Sequence, residues 1–142
     1  MARGLTVIGT ASEGNHDYLR SLGANPTTYG EGLPDRVAQL APNGVDGVLD
    51  NAGSGSLADL IVIAGAADRV ATLVDLNAPA LGAILVDGRS GNPSAGLQEI
   101  AELAADGRLT ITISQIFPMD RIAEAHALSQ SGHVRGKLAV TL

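Results

Sequence analysis

Short runs of Val, Ile, Leu and Ala alternate with stretches of helical spacing along most of the chain, and this alternation limits the possible folds more than any other feature. Residues 6–9, 44–50, 69–74 and 81–86 read as strands, and 27–29 as a short one. Between them lie helical stretches at 15–22, from Pro34 to about residue 41, at 56–64 and from Ser94 toward Gly107. The punctuation agrees with this reading. Gly23 suits a left-handed helix end, Pro34 a first helical turn, Pro42 a stop, and Ser56 and Ser94 helix caps. Strands separated by helices predict parallel βαβ units with right-handed crossovers. The composition suits that architecture: 45% of residues are apolar and only 2% aromatic, so the core is aliphatic, as in a parallel sheet covered by helices.

The last third departs from the pattern. Thr110-Ile111-Thr112-Ile113 alternates polar and apolar, which predicts a strand at 109–113 covered on one face only. A helix at 120–128 and a closing strand at 136–142 follow. The expected organisation is a domain over 1–108 and a strand–helix–strand segment over 109–142.

Several functions are disfavoured. The chain has no cysteine, which removes disulfides and thiolate metal sites. Its net charge is −6 and Lys137 is its sole lysine, so no basic patch for nucleic acid is expected. No apolar run approaches the length that spans a bilayer, and no signal peptide is visible, so the expectation is a cytoplasmic protein without a membrane partner. His16, His126 and His133 have no partners at metal-ligand spacing, so neither catalytic nor structural zinc is expected. No Gly-x-Ser-x-Gly elbow or ordered Ser/His/Asp set is present, and no catalytic residue is assigned.

Four stretches point toward nucleotide chemistry. Gly53-Ser54-Gly55-Ser56-Leu57-Ala58 fits G-x-G-x-x-A between a strand and a helix, and Asp75 follows Gly53 by 22 residues. Taken literally, these glycines admit a pyrophosphate to a helix N-terminus and Asp75 binds a ribose. Alternatively they form a tight crest at the carboxyl end of a later strand. Asp50-Asn51-Ala52-Gly53 resembles a short-chain dehydrogenase motif, but neither Tyr18 nor Tyr29 has the lysine such enzymes need. Thr10-Ala11-Ser12 ends the first strand, where an acidic residue would meet a ribose 2′-hydroxyl; Thr10 and Ser12 instead offer neutral donors that tolerate a 2′-phosphate. Ser12 or Asn15 as a helix cap is the plainer reading. Tyr29 stands in a Gly-rich stretch, either covering an adenine or packed against its neighbours.

The order of these pieces resembles the medium-chain dehydrogenase/reductase family, the zinc-type alcohol dehydrogenase superfamily, on its zinc-free quinone oxidoreductase branch. The stretches that carry the resemblance are Val7-Ile8-Gly9-Thr10-Ala11-Ser12-Glu13, Leu19-Arg20-Ser21-Leu22-Gly23-Ala24, Gly44-Val45-Asp46-Gly47-Val48-Leu49-Asp50, Asp106-Gly107-Arg108-Leu109, Phe117-Pro118-Met119, Ala123-Glu124-Ala125-His126, and Gly132-His133-Val134-Arg135-Gly136-Lys137-Leu138.

The resemblance implies an incomplete Rossmann-like parallel sheet. The opening strand matches the family's second, so the first strand and its Gly-rich loop are expected to be missing. It implies NADP(H) as cofactor. Ser12, with Tyr29 as a second candidate, would match residues that meet its 2′-phosphate, Asn51 and Gly53 would line the cofactor groove, and Leu73 and Val74 would approach the nicotinamide; Thr10 stays a cofactor-binding candidate from its place at the strand end. The strand bounded by Leu81 and Val86 matches the edge through which family members dimerise. Residues 109–113 and 136–142 match strands that join the catalytic domain, which implies little redox activity for this stretch alone. It also leaves room for a separate catalytic-domain chain as partner. Gly14 stands where relatives often carry a basic residue, and Asp68 where they often carry glycine.

Overall fold

The computed structural model describes residues 4–53, 57–88, 93–132 and 134–142. These fall into two compact units, residues 1–93 and 94–142.

The first unit runs β1 (Ile8–Thr10), α1 (His16–Ser21), β2 (Asn25–Thr27), α2 (Leu33–Leu40), β3 (Val48–Asp50), α3 (Leu57–Ala64), β4 (Val70–Thr72) and β5 (Ile84–Leu85). Short 3-10 turns precede α1, β4 and β5. All its pairings are parallel, as the βαβ reading required, but its ladders form two sheets. One holds β1 and β2, the other β3, β4 and β5 in that order.

Local sequence accounts for the helices. The chain enters α2 through Gly32 at φ 73, Pro34 sits in the first turn, and Asp35 adds negative charge where the helix dipole favours it. The helix ends before Pro42, a residue that disfavours helix immediately ahead of it. Leu33 and Val37, one turn apart, are its buried residues. In α3, Leu57, Leu60, Ile61 and Ala64 follow helical spacing and pack with Val48, Val70 and Leu85 of the three strands, joined by Ala78 and Ala83. Val70 is fully buried there; burying a side chain of that size contributes ~1.5–3 kcal/mol. On the opposite side of the ladder, Leu49 is 61% and Ile84 49% exposed.

The second unit contains α4 (Pro93–Ala105), β6 (Ile113–Pro118), α5 (Ile122–Gln130) and β7 (Lys137–Thr141). The strands β6 and β7 pair in parallel, with a register shift between Ile113 and Gln115. Among its described residues, Phe117 and Ala125 are the buried apolar ones. The strand expected at 109–113 therefore lies later. Residues 109–112 lie outside any strand, and the ladder begins at Ile113, because the pairing that defines β6 is dictated by where β7 returns. Helix α4 groups with this unit, whereas the sequence organisation ends the first domain at 108.

Among the described residues, no helix is long and apolar enough to cross a membrane. The proposed caps at Ser56, the Ser54-Gly55-Ser56 part of the glycine motif, and His133 lie outside the described residues.

Candidate functional site

Open parallel sheets bind ligands beyond the carboxyl ends of their strands. The residues singled out in the sequence fall at such ends, in two groups.

The first group caps β1 and β2. The Ala11 amide donates to the Thr27 carbonyl at 3.0 Å, carrying the ladder one step past Thr10. Beyond it, Ser12 is exposed, and its hydroxyl accepts a bond from the Asn15 side-chain amide at 3.1 Å. Ser12 and Asn15 stand at helix N-cap positions, as the plainer reading has them, though neither side chain bonds the helix amides; the Ser12 carbonyl accepts the Asn15 amide at 2.9 Å. His16 places Nε2 3.2 Å from the Ala11 carbonyl; the tautomer protonated there donates to it. Tyr29 is 53% exposed in the loop after β2.

That loop is organised by a residue the sequence reading passed over. Arg36, one turn into α2, donates from Nη1 to the Glu31 carbonyl at 2.7 Å. From Nη2 it reaches the carbonyls of Thr28 at 3.0 Å, Tyr29 at 3.4 Å and Gly30 at 3.5 Å. Gly30 and Gly32 take left-handed φ values of 85° and 73°, which turns the loop back over the guanidinium. A lone arginine on a predicted helix gives no signal, but two glycines four and six residues before it are the trace of a turn folded back on that helix.

The second group caps β3 and β4. The Asp50 carboxylate accepts from the Thr72 hydroxyl at 2.9 Å, the Gly53 amide at 3.0 Å and the Ala52 amide at 3.2 Å. The Thr72 oxygen in turn accepts from the amides of Val74 at 3.2 Å and Asp75 at 3.1 Å. Asp75 accepts from the Asn77 amide at 2.8 Å. One chain of polar contacts thus fixes the loops that carry Asn51, Gly53, Leu73 and Val74. Partial burial disfavours the Asp50 charge, but the three donors together outweigh it and hold the carboxyl below its ordinary value. Gly53 lies at φ 60, and a Cβ built there would stand 2.9 Å from Val74 Cγ2. The loop after β3 therefore closes on the loop after β4. Asp75, read from the sequence as a ribose ligand, is engaged in its own turn.

Among the described residues, no group of three or more His, Cys, Asp or Glu side chains comes together as a metal site. The second unit has a groove of about 520 Å³ between α5 and β7, lined by Ile122, His126, Ser129, Lys137 and Leu138 among others. It carries none of the candidate cofactor-binding residues picked from the sequence.

A family model described as zinc-binding dehydrogenase matches residues 22–140. The chain belongs to the zinc-binding dehydrogenase family. A relative from Arthroderma benhamiae named "Probable zinc-binding oxidoreductase, mitochondrial" is 28% identical over 94% of this chain and 43% of its own length. The quinone oxidoreductase of Coxiella burnetii superposes with a TM-score of 0.75 at 26% identity, over 99% of this chain and 46% of that one. An NAD-dependent alcohol dehydrogenase superposes with a TM-score of 0.77 at 23% identity, over 98% and 44%, and so shares the fold. The chain spans less than half the length of each of these proteins. The α/β architecture with parallel strands, read from sequence, is the architecture they share.

Proposed function

We propose that this chain supplies the NADP(H)-binding portion of an oxidoreductase of the quinone oxidoreductase type. The observation that carries the reading is the polar lining of the carboxyl strand ends. Thr10 and Ser12 offer hydroxyls at the end of β1, just ahead of the Glu13 carboxylate, while Asp50 and Thr72 brace the loops after β3 and β4. An acidic residue in place of Ser12 would repel a 2′-phosphate; a hydroxyl accepts one. In this reading Ser12 and Tyr29 hold the ribose phosphate, Asn51 and Gly53 line the groove, and Leu73 and Val74 pack toward the nicotinamide. The bound dinucleotide supplies the hydride. The chain's own part is to orient it and shield one side of it.

Hydride transfer also needs a substrate wall, and the fold offers a reason to look for it on a further segment. The β1–β2 sheet and the β3–β4–β5 sheet share one compact unit without sharing a ladder, and Leu49 and Ile84 stand uncovered. A strand–helix unit from elsewhere, in the same polypeptide or a separate catalytic-domain chain, would bridge the two sheets and bring the glycine-rich cradle of a diphosphate. Without that cradle, cofactor binding is weak. Calorimetric titration of the 142-residue chain tests this: the expected result is NADPH binding that saturates only well above micromolar, and tighter than NADH. Affinity in the micromolar range or better, or a preference for NADH, would refute the reading.

A further inference from the structure

We infer that Arg36 is a positioning residue for nucleotide selectivity, holding the Tyr29 loop beside Thr10 and Ser12 so that this strand end prefers a nucleotide bearing a ribose phosphate. The inference rests on the NADP(H) reading above and assigns its selectivity to a residue that need not touch the ligand.

Three observations carry it. The guanidinium gathers four carbonyls of one loop, at Thr28, Tyr29, Gly30 and Glu31. A planar fork of fixed donors does this well; a lysine ammonium is a compact point charge that cannot span the same set. Second, every acceptor of Arg36 among the described residues is a neutral carbonyl, and its Nε is buried with no partner. The guanidinium is thus spent on the loop backbone rather than on a carboxylate, with Glu31 and Asp35 its neighbours in sequence. Third, the clamp acts where the ligand is expected. The Thr27 carbonyl takes the Ala11 amide and the next carbonyl, that of Thr28, takes Arg36, so the clamp begins one residue beyond the β1–β2 ladder. Tyr29 follows immediately and projects into solvent. Together these describe an ordered loop presenting an exposed phenol.

The test uses the full chain with Tyr18→Phe, so that Tyr29 is the only tyrosine and its fluorescence reports the loop; the sequence has two tyrosines and no tryptophan. Adenosine 2′,5′-bisphosphate and adenosine 5′-monophosphate are titrated against this chain, R36M and R36K, with circular dichroism confirming the fold. The expected result is a preference for the bisphosphate that falls roughly tenfold in R36M, the equivalent of one charge-assisted hydrogen bond. Monophosphate affinity stays nearly constant. R36K, which keeps the charge but not the fork, falls partway and also opens Tyr29 to acrylamide quenching without ligand. If R36M does not fold, R36K alone decides. A preference unchanged in the folded Arg36 variants overturns this inference and leaves the NADP(H) reading intact. No preference in the Arg36 chain overturns both.

Discussion

The Thr72 hydroxyl donates to the Asp50 carboxylate across neighbouring parallel strands, at 2.9 Å, while its oxygen accepts two amides of the following loop. Thr72 is fully buried. A Thr72→Val chain keeps the shape and loses every one of these bonds, leaving the Val74 and Asp75 amides without their acceptor. Burying unsatisfied groups of this kind costs about 1–3 kcal/mol. Urea denaturation is expected to show a loss of that size, whereas Thr72→Ser, which keeps the hydroxyl, loses less.

Asp50 makes the same network sensitive to acid. Its folded carboxyl lies below its ordinary value, so the stabilisation is fully present above the unfolded value of about 4 and is lost as pH falls through the lower folded value. Asp50→Asn removes this titration. Denaturant midpoints measured from neutral pH downward are expected to fall less steeply on the acid side for Asp50→Asn than for the unsubstituted chain. Parallel curves would assign the acid sensitivity to other carboxylates.

Gly53 and Gly136 separate two kinds of crowding. At Gly53 an added Cβ meets the Val74 side chain at 2.9 Å. At Gly136 it meets the Thr112 carbonyl at 2.5 Å, and that carbonyl is already held by the Lys137 amide at 2.8 Å. A side chain turns aside; a bonded carbonyl does not. Both positions have positive φ, which alone costs an alanine ~1–2 kcal/mol. Gly53→Ala is expected to lose about that much stability and Gly136→Ala clearly more. Equal losses in thermal denaturation would contradict the distinction.

The exposed faces bear on assembly. With Leu49 and Ile84 uncovered on one side of β3–β5, the proposed bridging strand–helix unit has an apolar surface to land on. Leu49→Lys with Ile84→Lys is expected to leave the chain folded, since both residues point away from the α3 core, and to abolish complementation by a coexpressed catalytic-domain chain in a pull-down. Retained complementation would place the partner elsewhere.

How much of this was legible in the sequence depended on how local the cause is. The helix α2 was readable because Pro34, Pro42 and the Leu33–Val37 spacing act within one element. The strands β3 and β4 were readable as aliphatic runs, though their paired cores are shorter than the runs. The strand β6 was misplaced because Thr110-Ile111-Thr112-Ile113 has the alternation of a strand while its ladder depends on β7, some twenty residues later. The sites divide in the same way. Thr10, Ser12 and Gly53 were found as strand-end residues. The Asp50–Thr72 bond joins residues 22 apart, and Arg36 reaches back five to eight; neither spacing has a motif.

The most direct test of the central claim, that a nucleotide lies along the carboxyl strand ends of the first unit, is a ¹⁵N NMR titration of the chain with NADPH. The account predicts amide shifts concentrated at Ala11, Ser12, Tyr29, Ala52, Gly53, Leu73 and Val74. Shifts confined to the groove between α5 and β7, or none at all, would contradict it.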